Sequence, residues 1–298
     1  MTKITAIVVT HNSSSDILDC LRGIVGAPEV EVVVVDSGST DRTVELVEAV
    51  PGVRLDIAGD NIGWTAATNR AISSATGEYV AFVNPDARPT ATQLLTLAGR
   101  CGPGIGAVAP RYVDERGSHQ SFYFRFPRPL TGPFLYLNSG QRLDARLGHR
   151  IIDHTLYGGN PPSEGVDHAG AACLILPSAL VRDLGGLDER MWLLFSDTDL
   201  SMRLRRAGLT IRIAEDVEVV HLGGTSLGQQ SLDWQQLVVQ RDYLAFARKW
   251  YTPAGRGITY MGVLLFSGLV PASFALLRGE PARARFCLGR AYRVLSAR

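Results

Sequence analysis

Short apolar runs alternate with stretches of helical period through the first hundred residues. Ile4–Thr10 (ITAIVVT) is an apolar run rich in β-branched residues, and a run this short, bounded by turn residues, predicts a buried strand. Residues 13–25 carry apolar positions at helical spacing, with Ser13 or Ser14 as the expected N-cap and Asp16 favourable in the first turn. Residues 31–36, 53–57, 78–83 and 106–110 read as further strands. Residues 41–49, 64–75 and 90–100 read as helices, the first stopped by Pro51-Gly52 and the second by Gly77. Strand and helix alternating at this spacing predict a mainly parallel central sheet with helices on both faces.

The pattern weakens from Tyr112 to His168, where Pro, Gly, His and aromatic residues accumulate. Within it, SFYFRFPRP (121–129) interleaves aromatics with arginines. Two readings stay open for it: a basic aromatic surface for a ligand or lipid headgroup, or an irregular loop packing its aromatics on the sheet. Order returns with a strand over 172–176, a loop leading into a helix that Gly208 stops, strands over 210–214 and 217–221, and a long helix over 231–250. The last shift lies between Arg256 and Arg278, where GITYMGVLLFSGLVPASFALL holds no charge and is long enough to span a bilayer. Its Gly, Ser and Pro271 make it a poor span. The basic amphipathic stretch that follows favours a segment lying on anionic lipid. The expected division is therefore a domain over residues 1–250 and a C-terminal helical, membrane-associating segment over 251–298.

Composition narrows the classes. A chain of 298 residues that is 46% hydrophobic buries a substantial core, and its net charge of +1 gives no overall pull toward nucleic acid. The four cysteines (Cys20, Cys101, Cys173, Cys287) are scattered and read as reduced thiols in a cytosolic setting. The N-terminal apolar run is too short for a signal peptide, so no export signal is expected. After the first strand the chain reads THNSSSD rather than GxGxxG, which argues against a nicotinamide-dependent oxidoreductase; GPGIG (102–106) precedes a strand and does not restore the motif.

The candidate chemistry gathers at strand tips, where open α/β sheets place ligands. Asp36 ends a strand, and Gly38 beyond it permits close approach of a ligand, so its carboxylate is placed to accept hydrogen bonds from a base or ribose. Asn84-Pro85-Asp86 ends another, and Asp86 is a hard oxygen donor suited to Mg2+ or Mn2+. Asn61, beside Gly63, either hydrogen-bonds a nucleotide or caps a helix; Asn69 reads as structural. Trp64 and Trp192 either stack on a base or sugar or pack in the core. Asp197 opens a helix in an apolar setting, where desolvation favours a general base, whereas Asp199 is spaced i,i+4 from Arg203 and reads first as an ion pair. His221 ends a strand before Gly223-Gly224 and is a candidate ligand for the same metal or for a diphosphate.

These pieces resemble the family 2 glycosyltransferases of GT-A fold, in the rhamnosyltransferase-like branch. The resemblance rests on VVTHNS (8–13), VVDSGSTD (34–41), NIG with ATN (61–69), FVNPDA (82–87), GAACLIL (170–176), GGLDERMWLLFSDTDLSMRLRRAG (185–208) and HLGGTS (221–226), in the family's order, across residues 4–249. It implies that Asp36 contacts the base, Asn84 lies near the ribose, Asp86 holds a divalent metal, Asp197 is the acceptor base and His221 lies near the metal or diphosphate; Thr10 and Asn61 are further candidates for nucleotide contact, and Trp192 and Asp199 for the acceptor. It further implies an inverting transfer from dTDP-rhamnose to a polyprenyl-linked or growing cell-envelope glycan, peripheral to the cytoplasmic face of the membrane. Donors such as UDP-galactofuranose, UDP-hexose or GDP-mannose, or a catalytically silent scaffold of the same fold, are the alternatives. Three departures from the family pattern stand out. The DxD reads Asn84-Pro85-Asp86, the ED-x-D reads Ser196-Asp197-Thr198-Asp199, and His11 replaces a common tyrosine.

Overall fold

The computed structural model describes residues 3–157, 161–223 and 231–296. They form two compact units. One takes in Met1–Arg125, Tyr157–Trp192 and Ser196–Gln229; the other takes in Phe126–Leu156, Leu193–Phe195 and Gln230–Arg298.

The first unit begins β1 (Ile4–Thr10), α1 (Ile17–Arg22), β2 (Val30–Asp36), α2 (Thr43–Glu48), β3 (Val53–Ile57), α3 (Gly63–Ser74) and β4 (Tyr79–Val83). It continues β5 (Ala87–Arg88), α4 (Ala91–Ala98), β6 (Ile105–Val113) and β7 (Tyr123–Phe124). Eight strands make one sheet in the order β3-β2-β1-β4-β9-β6-β10-β5, where β9 is Cys173–Pro177 and β10 is Thr210–His221. β1 is parallel to both β2 and β4, with Thr10 in register with Asp36, so these strands end on one edge. β9 runs antiparallel to β4 and β6, which makes the sheet mainly rather than wholly parallel. Every residue of β1 is buried, as a central strand covered on both faces requires.

Several boundaries differ from the sequence expectation. The helix expected over 13–25 forms only over Ile17–Arg22, because Ser13 to Asp16 fold as a turn in which the Ser13 carbonyl accepts from Asp16 and Ile17. The two strands expected over 210–221 are one strand, β10; its register against β6 shifts between Ala214 and Glu218, a bulge that places the polar Glu215-Asp216 pair mid-strand. β7 pairs with a second two-residue strand, β8 (His168–Ala169), inside the region that lacked periodicity. There Phe122 and Tyr123 pack against the core of the sheet, as the second reading had it. Tyr123 is fully buried and donates its hydroxyl to the Pro110 carbonyl at 2.8 Å, while the Phe122 and Phe124 rings stand 5.7 Å apart. The unit also holds α8 (Ser178–Asp183) and α9 (Ser196–Arg206).

The second unit is helical: α5 (Gly132–Tyr136), α6 (Asn138–Arg146), α7 (Arg150–Thr155) and α10 (Leu232–Trp250), then α11 (Pro253–Val263), α12 (Val270–Leu277) and α13 (Pro281–Ser296). Thr252 caps α11 by accepting from Gly255 at 3.2 Å, with Pro253 at the first helical position where its missing N–H costs nothing. A π-helical turn (Leu264–Leu269) joins α11 to α12 without a break. Pro271 follows this wider turn, and the Ser267 carbonyl, to which it has no N–H to give, accepts from Arg290 at 3.4 Å, so the run continues through the proline.

Candidate active site

At the carboxyl edge of β1 and β2, Asp36 is buried and binds its own loop. Thr10 donates to its Oδ1 at 2.9 Å, the Ser39 hydroxyl donates to the same oxygen at 2.5 Å, and the Ser39 N–H donates to Oδ2 at 2.9 Å. Gly38 adopts φ +70, and a Cβ there would meet the Asn61 nitrogen at 2.6 Å, so the loop closes only on glycine. Asn61 accepts from the Gly63 N–H at 3.2 Å and from the Ser37 hydroxyl at 3.3 Å. His11 donates from Nδ1 to the Ser37 carbonyl at 2.8 Å, which leaves Nε2 to accept from the Asn61 amide at 3.2 Å. Thr10, His11, Asp36 and Asn61 thus form one polar cluster at the sheet edge. His11 lies within it, where the family pattern has an aromatic ring.

Asn84 follows β4 in a tight turn. Its N–H donates to the Ala172 carbonyl at 2.9 Å, and its carbonyl accepts from Ala87 at 3.0 Å. The turn delivers Asp86, and β5 immediately pairs with the end of β10, placing His221 opposite Ala87. Asp86 Oδ1 and His221 Nε2 come to 3.5 Å, with both side chains buried. Gln120 fixes the ring: its amide nitrogen donates to the His221 carbonyl at 2.8 Å, so its Oε1 is left to accept from Nδ1 at 3.2 Å. The ring proton is then on Nδ1, and the bare Nε2 faces the Asp86 carboxylate.

Two lone-pair donors facing each other at this distance suit a cation. Ligands about 2.1 Å from one ion and at right angles lie roughly 3 Å apart. Among the described residues no group of three or more His, Cys, Asp or Glu side chains gathers as a metal site. A Mg2+ or Mn2+ here would take these two protein donors and fill its remaining positions with phosphate and water, as such ions commonly do.

Asp197 opens α9 and keeps a quarter of its side-chain surface exposed, more than its apolar flanks lead one to expect. The Thr198 N–H donates to its Oδ1 at 2.8 Å, and His168 Nε2 lies 3.8 Å from its Oδ2. Tyr112 links the two carboxylates' surroundings. Its ring is 5.8 Å from His221, and burial pushes its phenol pKa far up, with the charge of Asp197 adding to the rise.

The remaining candidates make the following contacts within the fold. Asp199 is fully buried and bonded to Arg203 at 2.9 Å, the ion pair that the i,i+4 spacing predicts, and no part of it is exposed to an acceptor. Trp64 packs edge-on against Phe82 at 5.9 Å. Trp192 lies over the start of α3: its carbonyl accepts from Thr65 at 3.2 Å, and a Cβ on Gly63 would meet its indole nitrogen at 2.4 Å. Asn69 exchanges hydrogen bonds with the Leu187 backbone at 2.7 and 2.9 Å. Sequence reasoning missed Gln120 and His168. Both lie in the aperiodic stretch, and neither has a motif of its own.

The model of the glycosyl transferase family 2 matches residues 5–144, which include Thr10, Asp36, Asn61, Asn84 and Asp86. Residues 5–144 are a glycosyltransferase family 2 domain. The glycosyltransferase is 28% identical over 221 residues to an N-acetylglucosaminyl-diphospho-decaprenol L-rhamnosyltransferase of Mycobacterium tuberculosis, covering 67% of this chain and 69% of that one. Its fold is that of a mannosyltransferase from Pyrobaculum calidifontis in complex with GDP-Man and Mn2+, with TM-score 0.55 at 18% identity over 99% of this chain and 87% of the other. A glucosyl-3-phosphoglycerate synthase from Mycobacterium tuberculosis, in complex with Mn2+, UDP and phosphoglyceric acid, gives TM-score 0.54 at 18% identity over 85% and 80% of the two chains. The sequence expectation of a GT-A fold and of a glycosyltransferase holds.

Proposed function

We propose that this glycosyltransferase moves L-rhamnose, with inversion, from dTDP-rhamnose to a polyprenyl-linked or growing cell-envelope glycan at the cytoplasmic face of the membrane. The observation that carries the reading is the approach of Asp86 to His221 at the same end of the sheet as Thr10 and Asp36. The similarity to a rhamnosyltransferase acting on a decaprenol-linked sugar supports the choice of donor and acceptor.

In this reading Thr10, Asp36 and Asn61 face the base, and Asn84 lies toward the ribose. Asp86 and His221 would hold Mg2+ or Mn2+, which when bound supplies Lewis-acid charge to the departing diphosphate. Asp197 takes the proton from an acceptor hydroxyl as that oxygen attacks the anomeric carbon on the face opposite the leaving group. Trp192, half-buried beside the start of α3, lies toward the acceptor in this reading.

The second unit supports a lipid-borne acceptor. Helices of soluble proteins bury an apolar stripe and expose a polar one. Pro253–Leu277 inverts this: it buries small residues such as Gly255, Gly262, Gly268, Ala272 and Ala275. It exposes Ile258, Met261, Leu265, Leu269 and Phe274, with Leu277 at its end 84% exposed. The run is 25 residues long, enough by length and composition to cross a membrane. From residue 251 onward seven arginines accompany a single acid, Glu280, which favours a helix pair lying on anionic headgroups.

The test is transfer and thermal shift across a panel of nucleotide sugars, with and without Mn2+, beside sedimentation with phosphatidylglycerol vesicles. The expected outcome is the largest Mn2+-dependent shift and turnover with dTDP-rhamnose, and vesicle binding that Leu265→Glu with Leu269→Glu abolishes. Preference for UDP-galactofuranose, a UDP-hexose or GDP-mannose would replace the donor. Binding without turnover of any donor would leave a silent scaffold.

A further inference from the structure

His168 is buried in β8 and stacks on Phe124 from β7, with ring centroids 5.5 Å apart and planes 26° from parallel. A hydroxyl from α9 faces each ring nitrogen: Ser201 Oγ stands 3.1 Å from Nδ1, and Thr198 Oγ1 stands 3.3 Å from Nε2. Ser201 donates its own proton one turn back, to the Asp197 carbonyl, at 2.8 Å. Its oxygen therefore presents a lone pair to Nδ1, and the ring carries its proton there. Nε2 is left bare, with the Thr198 hydroxyl beside it and Asp197 Oδ2 at 3.8 Å.

We propose that His168 is a positioning residue for Asp197 that relays the acceptor's proton, its Nε2 taking from the carboxylate the proton that the carboxylate takes from the acceptor hydroxyl. The inference rests on Asp197 being the acceptor base. The step balances without any redox partner. The acceptor O–H bond breaks, its oxygen bonds to the anomeric carbon, and the bond from that carbon to the diphosphate breaks with its electron pair leaving on the nucleotide. The proton passes to Asp197 Oδ2 and on to Nε2, giving an imidazolium beside a carboxylate. The gap of 3.8 Å is about 1 Å beyond hydrogen-bond length. A rotation of the Asp197 side chain, which is 25% exposed, closes it. The proton afterwards returns to solvent by the same exposed carboxylate.

A carboxylate alone is a weak base at neutral pH, because its proton affinity lies well below that of an alcohol. A neutral imidazole behind it raises the affinity of the pair for one proton. Burial keeps this ring neutral by pushing its pKa below the usual histidine value, against the opposing charges of Asp197 and Asp167. Arg205 of α9 pairs with Asp167, and from β7 the uncharged Phe124 ring stacks on His168, beside Tyr123, whose phenol burial keeps neutral by raising its pKa. Activity that needs the neutral ring is present above its pKa and lost as pH falls through it.

The experiment compares wild type, His168→Gln and Asp197→Asn in rhamnosyl transfer from about pH 5 to 9, with calorimetric donor affinity for each. For His168→Gln the expected result is a kcat about tenfold or more lower on the plateau, unchanged donor affinity, and an acid limb moved down and out of the measured range. A lower kcat with the acid limb unmoved would reduce His168 to a packing residue, and an unchanged kcat would remove it altogether. Asp197→Asn separates the underlying reading: if that variant keeps its turnover, the base lies elsewhere whatever His168 does. Should His168→Gln not fold, nitrogen NMR of the wild-type ring decides. Protonation on Nδ1 with bare Nε2 at pH 7 is expected, and the Nε2–H tautomer or a charged ring overturns the relay.

Discussion

The sheet unit holds two carboxylate–histidine pairs of nearly equal separation, Asp86 with His221 at 3.5 Å and Asp197 with His168 at 3.8 Å. In each the ring is held at Nδ1, by the Gln120 carbonyl in one and the Ser201 hydroxyl in the other, so that Nε2 turns toward its carboxylate. Their surroundings differ. The Asp86 carboxylate is 7% exposed and buried with its histidine at the β5–β10 ladder, where two hard donors converge. The Asp197 carboxylate is 25% exposed at a helix start, with the Thr198 hydroxyl beside its partner ring. A closed pair of donors suits an ion that arrives with a diphosphate. An open carboxylate suits a proton that arrives with a hydroxyl. Under the proposed function the same two side chains would serve different chemistry according to exposure and hydrogen-bond partners, and residue type alone does not separate them.

The largest effect that would break this comparison is at Asp197. Loss of a general base costs about 10²–10⁴ in rate. Asp197→Asn is expected to lose turnover on that scale while donor affinity, measured calorimetrically, stays near wild type. Equal losses in turnover and donor binding would mean that both pairs serve the donor.

Next in size is Asp86→Ala. In saturating Mn2+ its donor affinity should fall to the value that wild type shows in EDTA, and in EDTA the two proteins should match. Outer-shell partners of a metal typically account for 10–100-fold in metal affinity, so loss of a direct ligand should cost at least that. Equal donor affinity for both proteins in Mn2+ would remove Asp86 from metal binding.

The readable parts of the chain were those whose signal is local. β1 and β3 have the bounds that the sequence pattern predicts, Ile4–Thr10 and Val53–Ile57: β1 because a buried strand writes a continuous apolar run, and β3 because an edge strand alternates apolar with polar residues between turn residues. Asp36 and Asp86 were legible as acids at strand tips, and the Asp199–Arg203 ion pair as a helical spacing. β5, β7 and β8 are two residues each, too short to show any period. Those three strands are what assemble the site. β5 against β10 brings Asp86 to His221, and β7 against β8 seats His168 and carries Phe122 to 4.9 Å from His221. Gln120 and His168 were hidden because their roles come from neighbours 101 and 30 or more residues away in sequence. The bulge in β10 was misread as a gap between strands, since Glu215 and Asp216 look like turn residues when the partner strand is unknown.

The smallest expected effect sharpens the comparison most directly, because it touches only what holds each ring. Gln120 reaches His221 by two hydrogen bonds, at 2.8 Å to the carbonyl and 3.2 Å from Nδ1. Without them the ring is free to turn or to change tautomer, and Nε2 no longer points its lone pair at Asp86. Partners that orient a ligating histidine typically account for 10–100-fold in metal affinity. Gln120→Ala is expected near the low end, about tenfold weaker Mn2+ binding by titration calorimetry, because Phe122 still packs on the ring. Ser201→Ala is the matched change at the other pair. It removes the acceptor from His168 Nδ1 and is expected to leave Mn2+ affinity at the wild-type value while lowering turnover. If both variants weaken metal binding equally, the two pairs are one coupled network. If neither changes anything, the ring orientations are set by Phe122 and Phe124 packing alone, and the hydrogen bonds at Nδ1 are incidental.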